Sequence, residues 1–378
     1  MEIIMLELCE KLSESALRTI QFFESQLKGD GSYGKEADDL SCYYKSPMMF
    51  ILANRYHLAA KVLGYIHTKY MSKNGDFKTK PSLKSIKPEY SEYWSYINGW
   101  IVRAAQKLDL NEISNPAYQY LLSFNTGNNK GFLTNLSSNK NITDVLTTAH
   151  HGLINLERGQ LATAISAANY LCDAIKNQPA KGIFYLRFDS SGNAVVDFPK
   201  GQASFYSIDS NNSDQLYFMI GYPCAFLALM YKETKEKKYL NNAIAYFEFS
   251  ATCHGVFESN FSHKIAWAAS ILYQLTGKEQ YLYSTEKICN YFLNIQGEDG
   301  LWYSNSDIYT AYDQSTEIAC WFLDISNTLR PKKAFEEKEK EKEKNISKGG
   351  FLSWKKMERE IPHYARNDSI RKIYLTKY

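Results

Sequence analysis

Two consecutive aspartates, Asp38 and Asp39, are each followed five residues later by a tyrosine, Tyr43 and Tyr44. Ser46 stands where it can cap the apolar helix that comes next, so the two acids are available for chemistry. Neighbouring carboxyl groups and phenols can take different pKa values, which lets one group donate a proton while another accepts one. We therefore predict that Asp38 or Asp39 is a catalytic acid and that Tyr44 assists it.

Other predicted helix starts carry further acids and imidazoles. Asp313 and Glu317 are one helical turn apart and share a face, and His151 lies on a helix that Asp144 begins. We expect either His151 or the Asp313 and Glu317 pair to act as the base. The structural alternative is that the aspartates only cap helices and that the histidines are satisfied core residues. The residues expected to bind substrate are Tyr43, Trp94, Tyr206, Tyr217 and His263.

A recurring turn predicts the elements that position these residues. An aromatic-aliphatic helix end runs into Gln296, Gly300 and Trp302, and residues 22–33 repeat this pattern. Glycine supplies the left-handed conformation that ends a helix, and the aromatic side chain covers the helix end. Six copies predict an all-α fold, an (α/α)6 toroid of six helical hairpins in which inner and outer helices alternate, with an open solenoid as the alternative. The weaker copies end at Phe77, Phe132, Phe184 and Phe257.

The repeats and the charge pattern divide the chain into three predicted parts. Residues 1–330 form the toroid domain, residues 331–350 a charged linker without an apolar face, and residues 351–378 a basic-aromatic tail. The tail combines aromatic and aliphatic side chains with lysines and arginines. It is therefore a candidate arm for binding a protein partner.

Composition excludes several classes of function. The 378 residues carry a formal net charge of +3, so no basic footprint for nucleic acid is evident. No apolar run approaches the roughly 18 residues of a membrane span, and acids interrupt the apolar N-terminus, which argues against a secretory signal. The seven cysteines lack CxxC spacing and are odd in number. Free thiols and a cytoplasmic location are the expectation.

The Gln296, Gly300 and Trp302 pattern resembles the QW repeat of the terpenoid cyclase and protein prenyltransferase toroid superfamily. This resemblance covers residues 5–325 and implies the toroid fold. The superfamily's catalytic motifs differ here: the Asp-x-Asp-Asp proton donor is absent, and Cys42 stands where an Asp-Asp-x-x-Asp box has its last metal-binding aspartate. The resemblance therefore implies architecture more than chemistry.

A second resemblance concerns metal binding. Cys253, His254 and Gly255 are similar to the Cys-His-Gly zinc ligands of lanthionine cyclases, which share the toroid. That resemblance implies a zinc site completed by Cys224 or His263. The partner Trp-Cys-Tyr-Gly motif is absent, and we predict that the protein uses no metal and no cofactor.

The leading hypothesis is a metal-independent acid-base enzyme acting on a small molecule. It would be a cyclase, isomerase or lyase for a mainly apolar, terpenoid-like or polyene-like substrate held in the toroid cavity. The first alternative is a carbohydrate-active six-hairpin hydrolase, lyase or epimerase, since aromatic platforms and paired carboxyl groups also serve sugar chemistry. The second alternative is a non-catalytic scaffold that uses the C-terminal tail to bind its partner.

Overall fold

A computed structural model describes residues 2–127, 131–136 and 141–330. Residues 7–329 form one compact unit. The predicted linker (331–350) and tail (351–378) lie outside the described residues, so the role of the tail stays a prediction. Within the described ranges, no helix is both long and apolar enough to cross a membrane.

Long helices alternate between two layers, which confirms the predicted (α/α)6 toroid. The outer helices are α1 (Glu2–Gln26), α3 (Tyr56–Tyr70), α6 (Asn111–Leu122), α8 (Leu161–Lys176), α10 (Lys237–Thr252) and α12 (Glu279–Ile295). The inner helices are α2 (Ser46–Leu52), α5 (Tyr96–Lys107), α7 (Val145–Glu157), α9 (Phe218–Thr234), α11 (His263–Thr276) and α13 (Ile308–Leu329). A short helix, α4 (Glu89–Glu92), lies in the loop before α5.

The sequences of the two layers differ as their burial requires. The outer helix α12 buries one stripe, which contains Tyr281, Ile288 and Phe292, and exposes its other face. The inner helix α9 is buried on nearly all sides from Met219 to Ala228. Each inner helix contacts the next around the axis, and α13 contacts α2. The six inner helices therefore form a closed ring, and the open solenoid is excluded.

Small residues let the inner helices approach one another closely. A Cβ atom at Gly99 of α5 would overlap the imidazole of His150 on α7, and one at Gly152 of α7 would overlap the ring of Phe226 on α9. A larger side chain at either position would force the helices apart. These contacts hold the ring of helices tight around its axis.

Gln296 of the last full repeat joins the end of the chain to its beginning. Its Nε2 donates to the carbonyl oxygens of Ser15 (3.0 Å) and Gly300 (2.8 Å), and the Ser15 hydroxyl donates to its Oε1 (2.7 Å). Trp302 is buried and donates from its indole nitrogen to the Phe292 carbonyl oxygen (2.8 Å). The motif that predicted the repeat thus connects the turn after α12 to α1 and helps to close the ring.

The segment between α8 and α9 holds three short strands, and one of them pairs with a strand that lies just before α7. Strand β1 (Thr143–Asp144) pairs antiparallel with β3 (Arg187–Phe188), and β2 (Ile183–Tyr185) pairs antiparallel with β4 (Ser207–Asp209). Because β1 immediately precedes the inner helix α7, this segment is attached at the rim where the inner helices begin. It accounts for the longest interval between the repeated turns.

Candidate functional site

A group of charged side chains lies where several inner helices begin. Lys45 immediately precedes α2, and His263 and Lys264 open α11. Asp313 and Glu317 lie in the first half of α13. Every member is at most 9% exposed, which is unusual for charged residues and requires that they be paired. We name this group the axial cluster; it consists of Lys45, Tyr96, His263, Lys264, Asp313 and Glu317.

Glu317 is the centre of the axial cluster. Its Oε2 accepts from the Lys45 ammonium group at 2.5 Å, and its Oε1 pairs with the Lys264 ammonium group at 2.6 Å. The Tyr96 hydroxyl (3.1 Å) and the Trp321 indole nitrogen (3.3 Å) also donate to Oε1. One carboxylate therefore balances the positive charges of two buried lysines. Its contacts connect the inner helices α5, α11 and α13 with the residue that precedes α2.

His263 and Asp313 complete the arrangement. The His263 Nε2 atom lies 3.4 Å from Lys264 Nζ and 3.7 Å from Glu317 Oε2. Its Nδ1 atom has no hydrogen-bond partner among the described residues. Asp313 pairs with Lys45 at 2.9 Å. A buried polar atom without a partner is rare in folded proteins, so the His263 imidazole has capacity to bind another group.

The surroundings give these groups distinct protonation states. Burial raises the pKa of Glu317, but Lys264 and Lys45 outweigh it and hold that pKa well below its usual value. Burial, reinforced by the charge of Lys264, lowers the pKa of His263. Burial also lowers the pKa of Lys264 to about 8. At neutral pH the cluster thus holds an ionised carboxylate, a neutral imidazole and an ammonium group that can release its proton near that pH.

Aromatic side chains close the axis beneath the axial cluster. Trp267 and Trp321 stack with their ring centroids 4.2 Å apart, and Trp100 packs against Trp321 at 5.5 Å. His150 packs against Tyr222 (5.2 Å), and neither of its nitrogens has a partner among the described residues. Burial lowers the pKa of His150 well below its usual value, so this imidazole is neutral. Trp100, Tyr222, Trp267 and Trp321 therefore form an aromatic layer inside the ring of inner helices.

The two predicted acids have different surroundings. Asp39 is fully buried and accepts from the Ser85 hydroxyl (2.6 Å), the Thr79 hydroxyl (2.9 Å) and the Ile86 backbone N–H (2.9 Å). These bonds commit Asp39 to anchoring the loop that follows α3. Asp38 is exposed and lies in a surface cleft. The structure does not place either carboxyl group in the axial cluster.

The two predicted tyrosines also separate. Tyr44 is buried beside the axial cluster: the Lys45 ammonium group lies 5.0 Å from its ring centroid, and its hydroxyl lies 2.9 Å from that of Tyr90. Tyr43 donates to the Ala37 carbonyl oxygen (2.7 Å) instead. Tyr44 therefore lies next to the axial cluster, whereas the hydroxyl of Tyr43 binds the backbone of the segment after the first turn.

His151 and Trp94 bind neighbouring protein groups. His151 Nε2 lies 2.8 Å from the Ser95 hydroxyl, and burial lowers the pKa of His151 to about 3. The Trp94 indole donates to Asp76 (3.0 Å). Trp94 lies just before α5 and His151 lies in the middle of α7, and the structure shows neither of them in contact with the axial cluster.

Tyr206 and Tyr217 lie in or near the segment between α8 and α9. The Arg187 guanidinium stacks over the Tyr206 ring at 4.2 Å, and the Tyr217 hydroxyl donates to the His254 carbonyl oxygen (2.8 Å).

Of the eleven predicted site residues, the structure gathers Asp313, Glu317 and His263 in the axial cluster and places Tyr44 beside it.

Sequence reasoning left Lys45, Tyr96 and Lys264 out of the predicted site. Tyr96 and Trp100 are spaced one turn apart, which is the same signal that revealed Asp313 and Glu317. Lys264 follows His263 at the start of an apolar helix, where a buried lysine has no distinctive pattern. Its importance is visible only when Glu317 is placed opposite it.

The described residues offer no ready metal site. Among them, no group of three or more His, Cys, Asp or Glu side chains is arranged to hold a metal ion. Cys253 is buried, its thiol faces the Phe249 carbonyl oxygen at 3.6 Å, and burial raises its pKa to about 12. Because zinc binds the thiolate, these surroundings disfavour Cys253 as a ligand.

Comparison with known proteins places the fold among enzymes that act on sugars. No family model matches the sequence, and no curated protein matches it significantly. A D-mannose isomerase aligns with a TM-score of 0.60 over 82% of this chain and 96% of its own, at 13% identity. A family 76 glycoside hydrolase from a bovine Bacteroides thetaiotaomicron strain aligns with a TM-score of 0.55 over 83% of this chain and 77% of its own, at 14% identity.

A third similar structure is an inactive variant of an α-1,6-mannanase from Salegentibacter sp., in complex with α-1,6-mannotetrose. It aligns with a TM-score of 0.54 over 86% of this chain and 99% of its own, at 12% identity. At such low identity the likeness shows the fold, an α/α toroid, and not the reaction.

The predicted terpenoid-like or polyene-like substrate is wrong. The similar structures are glycoside hydrolases and a mannose isomerase, which favour the carbohydrate alternative. The charged side chains of the axial cluster are also unfavourable neighbours for an apolar molecule. The resemblance to terpenoid cyclases extends to the toroid only, and a role in secondary metabolism has no support.

Proposed function

We propose that this chain is a carbohydrate-active enzyme that transfers protons on a sugar bound at the axial cluster. The observation that carries the proposal is the neutral His263 imidazole beside Lys264, with the ionised Glu317 close to both. Such a group provides a proton acceptor and a proton donor at the same place. The sugar-acting enzymes with the same fold support a carbohydrate as the substrate.

Isomerisation of an aldose to a ketose, or epimerisation, suits these groups best. Either reaction removes a proton from a carbon next to a carbonyl group without any net oxidation. Isomerisation returns a proton to the neighbouring carbon, and epimerisation returns one to the opposite face of the same carbon. His263 would accept the first proton, and Lys264, with a pKa of about 8, would donate to the developing oxyanion. Glu317 would keep the two lysines in place. Because the cluster is buried, substrate entry requires the groups that cover it to move.

Glycoside hydrolysis is the second candidate, and Asp144 favours it. Two-carboxyl hydrolysis needs one carboxyl group that is protonated near neutral pH, and Glu317 is held ionised. Burial raises the pKa of Asp144 to about 6, and its Oδ2 has no partner among the described residues. Asp144 is therefore the carboxyl group that we would test as a proton donor to a glycosidic oxygen.

The test is solvent exchange. Neutral and acidic aldoses and ketoses, together with manno-oligosaccharides, are incubated with the protein in D2O, and deuterium at the carbon next to the carbonyl group is followed by NMR. We expect exchange with at least one monosaccharide and a loss of about 100-fold or more in His263→Asn. The matched control is His57→Asn, since His57 is exposed. Thermal unfolding verifies that both variants fold.

The outcomes separate the two candidates. Exchange that survives in His263→Asn, or no exchange with any sugar, would refute proton transfer at the axial cluster. Release of mannose from the oligosaccharides that is lost in Asp144→Asn, but kept in His263→Asn, would establish the hydrolase instead.

A further inference from the structure

A cleft of about 740 Å³ opens beside the first and second hairpins. Its walls come from the first repeated turn, from the end of α3 and from the loop at residues 79–86, and Tyr309 of α13 closes one side. This volume lies within the range of small-ligand sites. The cleft is separate from the axial cluster, none of whose members lines it.

The cleft carries an excess of positive charge, because four lysines and only two aspartates line it. Four lysines line it, and no described carboxylate forms an ion pair with any of them. Two aspartates also line it, and both are engaged: Asp30 accepts from the Ser32 backbone N–H (2.9 Å), and Asp38 accepts from the Tyr309 hydroxyl (2.9 Å). A concave surface with excess charge of one sign raises the local concentration of oppositely charged ligands. The four lysines are Lys28, Lys35, Lys69 and Lys80.

The shape and the aromatic residues identify the kind of anion. Tyr65 and Tyr309 line the cleft, and tyrosine rings offer faces on which a sugar ring can pack while hydroxyl groups bond at the edges. A concave site of this size suits a compact chain of a few rings better than a flat membrane surface. Lysine ammonium groups, which are point charges, pair with carboxylate or sulfate groups on such rings.

We propose that this cleft binds an acidic oligosaccharide, that is, a sugar chain bearing carboxylate or sulfate groups. The inference rests on the proposed carbohydrate function and names its substrate class. Tyr309 lies one helical turn, about 6 Å, before Asp313 on α13. A chain held by the lysines is therefore close to the rim at which the axial cluster lies, and the cleft acts as a positioning subsite for the part of the substrate that does not react.

The experiment measures binding and not turnover. A tetramer of galacturonate, a sulfated tetramer of a neutral sugar and maltotetraose are titrated by calorimetry into the full chain. The variant Lys69→Gln/Lys80→Gln removes two charges of the cleft. The matched control, Lys237→Gln/Lys278→Gln, removes two exposed lysines next to the starts of the outer helices α10 and α12. All four lysines are exposed, so we expect each variant to fold, which circular dichroism verifies.

We expect an acidic tetramer to bind the wild type at least 10-fold more tightly than maltotetraose does. Most of this difference in affinity should disappear in Lys69→Gln/Lys80→Gln and should remain in Lys237→Gln/Lys278→Gln. Binding should also weaken as salt rises, because exposed charges are screened. Which acidic tetramer binds identifies the anionic group. Equal affinity for acidic and neutral tetramers, equal loss in both variants, or equally tight binding of inorganic tripolyphosphate would each overturn the proposal.

The result is independent of the proposed chemistry. If acidic tetramers bind the cleft but no sugar is turned over, the proposed function fails and the cleft assignment stands. If sugars are turned over while the cleft variant behaves like the control, the cleft assignment fails and the proposed function stands.

Discussion

The replacement Glu317→Gln tests whether the axial cluster depends on one charge. It keeps the size of the side chain but removes the negative charge shared by Lys45 (2.5 Å) and Lys264 (2.6 Å). Lys45 retains Asp313 at 2.9 Å. Lys264 has no other described carboxylate within ion-pair distance, so it becomes a buried cation without a counter-charge.

The magnitude follows from this geometry. Removing one partner of a buried ion pair costs about 3–5 kcal/mol, because the remaining charge stays desolvated. We expect Glu317→Gln to lower the free energy of unfolding by that amount at pH 7. Replacing Lys264 as well, in Glu317→Gln/Lys264→Met, removes the orphaned cation and should restore more than half of the loss.

The effect should depend on pH in a defined direction. The folded-state pKa of Glu317 lies well below its ordinary value of 4.5. Its stabilisation is therefore complete above the unfolded-state pKa and disappears as the pH falls through the folded-state pKa. The difference between wild type and Glu317→Gln should be largest at neutral pH and should shrink below pH ~4.5.

The assay is urea unfolding followed by circular dichroism at several pH values. The matched control is Glu24→Gln, which breaks the exposed pair of Glu24 with Arg55 (2.9 Å) and should cost less than about 1 kcal/mol. A loss below about 1 kcal/mol for Glu317→Gln, or a double variant less stable than the single one, would refute the reasoning.

Three further replacements test the ring and the rim. Gln296→Ala should cost about 2–4 kcal/mol in urea unfolding, because it leaves buried partners in α1 without hydrogen bonds. Gln26 has the same motif position in the first repeat, and among the described residues its side chain bonds Ser25, so Gln26→Ala should cost under about 0.5 kcal/mol. A Cβ atom at position 99 overlaps the His150 imidazole, so Gly99→Ala should lower the free energy of unfolding by about 3 kcal/mol. Adding His150→Ala removes the imidazole and should recover part of this loss. If nothing is recovered, the overlap is not the cause of the loss. Asp144 has a folded-state pKa of about 6 against an ordinary 3.8, so its contribution to the stability of the wild type should fall as the pH rises from about 4 to 6. Asp144→Asn keeps the helix cap but removes the charge, so it should abolish this pH dependence and be more stable than the wild type at pH 7 by about 1–3 kcal/mol. Thermal unfolding at a series of pH values measures both effects. An unchanged pH dependence would exclude Asp144 as its source.

The fold was largely predictable because its signal is local and repeated. Each turn needs a left-handed glycine and an aromatic cover, and each hairpin needs two helices, so the pattern can be read without knowing distant contacts. The i, i+4 spacing of Asp313 and Glu317 was visible for the same reason. The substrate class was not predictable from that pattern, since one toroid serves many reactions.

The sequence by itself determined the six hairpins, the alternation of inner and outer helices, and the face that Asp313 and Glu317 share. Only the tertiary structure decided which charges meet. Lys45 and Glu317 are 272 residues apart in sequence, and closure of the ring brings them together. Asp39 shows the opposite case, because folding turned this predicted acid into an anchor for the loop at Ser85. Pairing across a closed ring depends on how every hairpin packs, and no local pattern encodes it.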